Sequence, residues 1–381
     1  MKPQNYSYTE NFESLHSDPA KSSTLPGFFY HSADIFELEK ERIFYNSWQV
    51  VAHVSQLELP GDFVCFQIVD ENVFVIRGED GIIRGFYNVC QHRAHQLLEG
   101  QGHLNSAIIC PYHNWIYDLE GGLNKVRYCN KQANFNKANY GLAPIQVEEI
   151  LGFIFVNLER TAPPLKSIAG KMFEDIEAKM PCWNEMVISP EVNSQSSDAS
   201  TLNANWKVLA ENSLENYHVG PIHPAYVDMV DLDTYDWEIC ELWIKGSGKI
   251  KNPNNDAYNI DPSELCQEAI TWRLWPNIAF LILPGEASSF SVVSSYPVTP
   301  SITRRVTITL VQPGETVNFN RWNYLWNTIW TEDKSVCESV HKGLRSRGYR
   351  QGRFMINPDL PYISEYGPHF FQLLYAKAME L

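Results

Sequence analysis

Apolar positions change their period along this chain, and each change marks an element. Residues 1–31 are polar, lack periodicity and predict a loosely packed lead-in. A helix is expected over 32–44, with Ser32 or Asp34 as N-cap and Glu37 three residues beyond the aspartate. From about 46 to 160 the pattern becomes short strands and turns. Residues 62–69 and 72–77 alternate around a tight turn, 82–87 follows a Gly78-to-Gly81 turn, and 115–119 runs into Glu120-Gly121-Gly122. Around Thr161-Ala162-Pro163-Pro164 the character changes again. Leu165, Ile168, Met172, Ile176 and Met180 then recur at helical spacing. Strand-like runs follow at 271–283, 289–297 and 303–312, and one long helical pattern runs from Asn318 to Leu344. The expected class is α+β: an N-terminal segment and helix over 1–45 packing on the last domain, an all-β domain over 46–160, and a helix-grip-like domain over 161–381. In that last domain an antiparallel sheet surrounds the long C-terminal helix.

The β-rich domain carries Cys90-Gln91-His92 and, after seventeen residues, Cys110-Pro111-Tyr112-His113. One cysteine and one histidine in each of two loops is the ligand set of a Rieske [2Fe–2S] cluster, where two thiolates hold one iron and two imidazoles the other. Zinc also takes two cysteines and two histidines, but its fingers usually keep the two ligand types apart.

The last domain holds a second constellation, Glu215-Asn216-Tyr217-His218-Val219-Gly220-Pro221-Ile222-His223. Two histidines five apart would splay by about 140° on an ideal helix. Gly220 and Pro221 are expected to stop the helix between them, so that His223 swings back towards His218. Two imidazoles and one carboxylate on one face make the triad of non-haem Fe(II) oxygenases. The carboxylate is argued from the stripe Trp322, Trp326, Ile329, Val336 and Val340, whose gap Asp333 fills. An acid on an apolar stripe is costly unless paired or metal-bound; pairing with a buried arginine or a backbone donor is the alternative. Glu332 and Glu338 have Ser335, Ser339, Lys334 and Lys342 as helical neighbours and read as solvated.

At 381 residues the chain is long enough for two or three domains. Eight cysteines are too few for a disulfide scaffold, so Cys65, Cys129, Cys182, Cys240, Cys266 and Cys337 are expected as free thiols, mostly in the core. A net charge of −15 excludes a nucleic-acid partner. No export leader and no membrane-length apolar run is visible, and a cytoplasmic protein is expected.

With both constellations in hand, the chain resembles the oxygenase (α) components of the Rieske non-haem iron oxygenases, over nearly its full length. It is most similar to the subgroup acting on carnitine, glycine betaine and choline. The segments that carry this are Asn88-Val89-Cys90-Gln91-His92-Arg93-Ala94-His95, Cys110-Pro111-Tyr112-His113-Asn114-Trp115, Asn205-Trp206-Lys207, the run from Leu214 to Pro224, Lys342-Gly343-Leu344-Arg345-Ser346-Arg347-Gly348-Tyr349-Arg350, Ile363-Ser364-Glu365 and His369-Phe370. The resemblance implies that Cys90, His92, Cys110 and His113 hold the cluster and that His218, His223 and Asp333 hold a catalytic iron. Glu215 stands where most of the superfamily has an aspartate linking the two centres. Also implied are O2 as co-substrate, a homotrimer in which a cluster feeds the neighbour's iron, and a separate NAD(P)H-dependent flavin/[2Fe–2S] reductase. No dinucleotide fingerprint or plant-type ferredoxin cysteine run supplies the reductase within this chain. Two positions depart from the subgroup: Asn216 where cysteine is common, and Arg273 where an aromatic is expected. Trp206, Trp272, Trp275, Phe280 and Tyr296 are candidates for an aromatic box around a trimethylammonium group, and ordinary core aromatics otherwise. Arg273 is a candidate partner for a substrate carboxylate. The expected function is monooxygenation of a small quaternary ammonium compound. An aromatic-ring hydroxylase shares both metal sites, and a Rieske electron carrier needs only the first.

Overall fold

A computed structural model describes residues 14–128, 134–189, 200–263, 266–285 and 289–381. The chain divides into two compact units: Phe44–Phe173, and the segment ending at Ile43 together with Glu174–Leu381. Helix α1 (Ala33–Glu39) starts as its capping residue predicts, with Ser32 Oγ accepting from the Ile35 N–H, and one π-helical turn over Lys40–Phe44 extends it. The described part of the lead-in is not loose. Leu25, Phe29 and Tyr30 are buried, and its backbone is tied to the C-terminal segment through Thr24 N to Gly352 O at 3.1 Å and Gly27 N to Arg350 O at 3.1 Å. Partners so distant in sequence leave no local periodicity to read.

The unit Phe44–Phe173 is built from strands β1 (Gln49–His53), β2 (Asp62–Ile68), β3 (Glu71–Arg77), β4 (Ile83–Tyr87), β5 (Gln101–His103), β6 (Ile108–Ile109), β7 (Ile116–Tyr117), β8 (Leu123–Lys125), β9 (Pro144–Ile150) and β10 (Phe153–Asn157). Seven form one antiparallel sheet in the order β1-β10-β9-β4-β3-β2-β5, and β6-β7-β8 form a small second one. The β2–β3 hairpin closes through Val69-Asp70, as the alternation predicts. Helix α2 (Leu165–Lys179) follows, burying Leu165, Met172 and Ile176, with Met180 buried just beyond it.

In the other unit, β11 (Val187–Ile188), β12 (Thr201–Leu202), β13 (Asp236–Ile239), β14 (Trp243–Lys249), β15 (Glu268–Leu274), β16 (Ile278–Ile282), β17 (Ser289–Thr299) and β18 (Ile302–Val311) form one antiparallel sheet. The run expected as one strand over 271–283 is two, because the chain turns at Trp275-Pro276-Asn277, where proline has no N–H for a ladder. Helices α3 (Trp206–Asn212), α4 (Val219–Ile222), α5 (Pro224–Met229), α6 (Phe319–Asn323), α7 (Trp330–Leu344) and α8 (Tyr366–Met379) complete it. Cross-strand partners share a face, so Trp272, Phe280, Val292 and Ile308 lie on one side of the sheet and Arg273, Ala279, Val293 and Thr307 on the other. The first side meets α2, where Trp272 Nε1 donates to Asp175 at 2.7 Å. The second meets the long helical run from α6 to α7, where Arg305 lies on the Trp326 and Trp330 rings.

That helix departs from its predicted stripe. A π-helical turn over Tyr324–Ile329 separates α6 from α7 and rotates the buried face. Tyr324, Trp330, Cys337 and His341 are buried, Val336 is half-buried and Val340 is exposed. Helix α8, for which no element was predicted, buries Phe371, Gln372, Tyr375 and Met379. Of the expected free thiols, Cys266 and Cys337 are buried, whereas Cys65, Cys182 and Cys240 are half-buried; Cys129 lies outside the described residues. No helix among the described residues is long and apolar enough to cross a membrane.

A buried ion pair ties α1 to α3. Lys207 and Glu39 are in contact with side chains 0 % and 1 % exposed, and Glu39 also accepts from Trp206 Nε1 at 2.9 Å and Tyr375 Oη at 2.7 Å. The Lys207 ammonium faces the rings of Tyr30, Trp206 and Tyr375 at 5.3, 5.3 and 5.1 Å. Breaking one side strands a charge in the core, so Lys207→Met is expected to cost about 3–5 kcal/mol in denaturant unfolding. Adding Glu39→Gln, which removes the stranded charge and keeps an acceptor for Trp206 and Tyr375, is expected to recover most of that loss.

Candidate functional site

The two Cys/His loops are built alike. In the first, Cys90 N donates to His95 O at 2.9 Å and Ala94 N to Cys90 O at 3.0 Å; in the second, Cys110 N donates to Trp115 O at 2.8 Å and Asn114 N to Cys110 O at 3.0 Å. Each closes through a left-handed residue, Ala94 at φ 57° and Asn114 at φ 56°. The cysteines point inward, at 2 % and 1 % exposure, and the imidazoles outward. Tyr117 Oη lies 3.2 Å from Cys90 Sγ, and His92 stacks on Trp115 at 4.8 Å. His92 Nδ1 and His113 Nδ1 are 3.2 Å apart. Two imidazole nitrogens at about 2.0 Å from one tetrahedral metal ion would be about 3.3 Å apart, so the pair fits a shared metal. Inward thiols and outward imidazoles, one of each per loop, fit a cluster bound half in the core and half at the surface.

The second constellation assembles by other means than the spacing suggested. Helix α3 ends at Asn212, and Glu215 sits in the turn beyond it, not on a helix. From there Glu215 Oε2 accepts from the His218 N–H at 3.0 Å, and Oε1 holds His218 Nδ1 at 2.5 Å. Helix α4 then runs through Gly220 and Pro221 unbroken, with Ile222 N to His218 O at 3.1 Å and His223 N to Val219 O at 2.9 Å. A proline in a first helical turn forfeits no bond, because those N–H groups have no partner inside the helix. The break falls at His223, at φ −119° and ψ 65°, and Pro224 opens α5. This leaves the two imidazole rings 5.3 Å apart.

Asp333 reaches them from α7. Its Oδ1 is 3.0 Å from His223 Nε2 and 3.6 Å from His218 Nε2, and one ligand atom from each of the three residues lies within 4.8 Å of the others. Asp333 thus lies with the two histidines, although the apolar stripe from which it was chosen runs elsewhere. Glu332, read as solvated, holds His223 Nδ1 at 2.7 Å. Both Nδ1 atoms are therefore engaged by carboxylates, which leaves both Nε2 lone pairs for the centre. Burial opposes a charge on His218, but hydrogen bonds to Asp333 and Glu215 outweigh it and lift its pKa to about 9. Burial likewise opposes a charge on Asp333, yet its bonds to His218 and His223 hold it down at about 2. Three carboxylates around two imidazoles make a site that attracts a cation, and the donor set fits Fe(II) with positions left open.

Comparison with known proteins agrees with both centres. Residues 47–136 match the Rieske [2Fe-2S] domain, and residues 189–381 match the ring hydroxylating alpha subunit (catalytic domain) family. The carnitine monooxygenase oxygenase subunit of Acinetobacter pittii is 34% identical over 96% of this chain and 97% of its own length. A solved quaternary ammonium Rieske monooxygenase superposes with a TM-score of 0.86 at 32% identity, over 95% of this chain and 97% of that one. A quaternary ammonium Rieske monooxygenase solved with L-carnitine gives 0.82 at 33%, again over 95% and 97%. The chain belongs to the Rieske non-haem iron oxygenases. It is the oxygenase component of a Rieske monooxygenase, with a [2Fe–2S] cluster, a non-haem iron and O2 as co-substrate, and it works with a separate reductase on a small molecule.

In this oxygenase a cavity of about 170 Å³ opens beside the triad, with Asp333 in its wall. Of the residues proposed for a pocket from sequence, Trp206, Arg273 and Trp275 line it, and Trp272, Phe280 and Tyr296 do not. Strand parity separates them: Phe280 and Tyr296 share the Trp272 side of the sheet, and Phe280 stacks on Phe290 at 6.0 Å. Trp206 lends the cavity an edge while its Nε1 is bonded to Glu39. Sequence reasoning missed Arg305, Trp326 and Trp330, which also line the wall. Their convergence depends on the phase of the π turn. Burial lowers the Arg273 guanidinium to about 10 and that of Arg305 to about 9.

The turn that carries Glu215 is braced from α8. A Cβ on Gly367 would lie 2.1 Å from Leu214 O, so any side chain must push the turn away. Gly367→Ala is expected to lower stability by about 1–3 kcal/mol and to reduce the metal retained after gel filtration. Gly343→Ala, where a Cβ meets nothing within 4 Å, serves as the control.

Proposed function

We propose that this oxygenase hydroxylates a small quaternary ammonium acid at the carbon next to nitrogen. The carbinolamine so formed collapses to an aldehyde, and the C–N bond breaks. The observation that carries the reading is the convergence of His218, His223 and Asp333 beside a largely apolar cavity. Support for the substrate class comes from a relative, a quaternary ammonium Rieske monooxygenase solved both with L-carnitine and with γ-butyrobetaine.

In this reading Cys90, His92, Cys110 and His113 hold the cluster, and His218, His223 and Asp333 hold the iron. When bound, the cluster supplies electrons singly and the iron supplies O2 activation and C–H oxygenation. Glu215 and Glu332 fix the imidazole tautomers, and the apolar wall keeps water from the reacting carbon. Glu215 is further read as the bridge by which electrons reach the iron from a neighbouring subunit's cluster in a homotrimer. The reductase is read as an NAD(P)H-dependent flavin/[2Fe–2S] protein, and the compartment as the cytoplasm.

Oxygen consumption with a generic reductase tests the reading. Uptake is expected with L-carnitine or γ-butyrobetaine and accompanied by release of trimethylamine; turnover of aromatic acids with no betaine active would refute it. Asp333→Ala is expected to lose the iron and all turnover while keeping the cluster's spectrum. Glu332→Ala frees His223 Nδ1 and is expected to weaken iron retention by about 10–100-fold. Glu338→Ala, whose carboxylate bonds Asn203 at 3.0 Å, is expected to retain iron as the parent does. Iron content after chelator challenge distinguishes the three.

A further inference from the structure

Two arginines face the cavity from one side of the sheet, and they are held differently. Arg273, on β15, has a buried Nε with no hydrogen-bond partner, and among the described residues it joins no ion pair. A guanidinium in that position is costly until an anion meets it. Asp333 shares the cavity wall, but its carboxylate is already bonded to His223 and drawn towards His218. Arg305, on β18, lies with its guanidinium carbon 3.6 Å from the Trp330 ring centroid and 4.4 Å from that of Trp326. These are two aromatic faces a substrate trimethylammonium would seek, and the chain's own cation covers them. Of the wall's other aromatics, Trp206 and Trp275 pack at 6.2 Å and Trp275 and Phe371 at 5.1 Å, and Phe370 lines the wall beside them. Arg273 and Arg305 stand three strands apart, about 14 Å between backbones at the usual strand spacing, and Arg305 is engaged by its two tryptophan rings.

We propose that the cavity selects its substrate by an acid group, which Arg273 binds, while Arg305 keeps the Trp326 and Trp330 faces from a substrate cation. The inference rests on the oxygenase reading above and refines its substrate: the carboxylate is the end recognised, and the ammonium end is tolerated. A guanidinium makes two charge-assisted hydrogen bonds to a carboxylate, whereas an ester group of similar length offers it one neutral carbonyl oxygen and no opposite charge.

Binding to the iron-loaded protein, followed by anaerobic titration calorimetry, tests this with three ligands: γ-butyrobetaine, its methyl ester, and 5,5-dimethylhexanoate, in which tert-butyl replaces trimethylammonium. The ester is expected to bind at least about tenfold more weakly than the acid, and the tert-butyl acid within about threefold of γ-butyrobetaine. Arg273→Leu is expected to bring the acid down to the ester's affinity and leave the ester unchanged. Arg305→Gln, by uncovering the tryptophans, is expected to strengthen binding of the ester. An ester that binds the parent as tightly as the acid overturns the proposal, as does Arg273→Leu weakening both alike, the mark of a merely structural role. An Arg305→Gln variant with unchanged ester affinity overturns the part assigned to Arg305. If 5,5-dimethylhexanoate binds and γ-butyrobetaine does not, acid recognition stands and the quaternary ammonium reading fails. Circular dichroism establishes that each variant is folded, and the parent's acid-to-ester ratio needs no variant at all.

Discussion

Two imidazoles can offer their Nε2 atoms to one point only when something fixes the far side of each ring. Here carboxylates do so, Glu215 at His218 and Glu332 at His223, and much of the catalytic unit serves to bring them there. Glu215 arrives through a turn that Gly367 allows to pack closely, and the backbone breaks at His223 after an unbroken helical turn. Glu332 and Asp333 are neighbours on α7, one reaching the outer nitrogen of His223 and the other its inner nitrogen. The resulting excess of negative charge pulls a proton onto His218, and the same field favours a divalent cation in its place.

The sheet sorts residues by parity, and that sorting decides what the cavity can recognise. Neighbours along β15 point to opposite sides, so Trp272 serves as a structural hydrogen-bond donor to Asp175 and Arg273 becomes a cavity residue. The same rule sends Phe280 and Tyr296 to the α2 side of the sheet. What remains on the cavity side is an apolar wall with two guanidinium groups. With the Asp333 carboxylate these set where charge stands in the wall, and the aromatic content of the sequence by itself conveys nothing of this.

Two buried polar clusters use opposite electrostatic arrangements. At the triad, acids outnumber bases, an excess that a bound cation would balance. At Lys207 and Glu39, one charge meets one charge, with Trp206 and Tyr375 completing the carboxylate's bonds. The second is closed and ties α1 and α8 to α3, the helix that leads directly into the Glu215 turn.

The sequence by itself determined what was written in local spacing and residue chemistry. The mixed Cys/His loops, the paired histidines, the β2–β3 hairpin and the start of α1 follow from neighbours within a few residues, and the resemblance to the Rieske oxygenases rests on the same short segments. Tertiary structure alone decided the rest. Asp333 was reached through a stripe that a π-helical turn displaces, since one wider turn rotates every later residue on the helix. Glu332 gave no signal because its partner, His223, lies more than a hundred residues away. Helix α8 and the packed lead-in were invisible for the same reason: their contacts are with distant segments. The cavity's arginines depended on strand register, which is fixed only when all the strands pair and one face of the sheet meets the helix that closes the site.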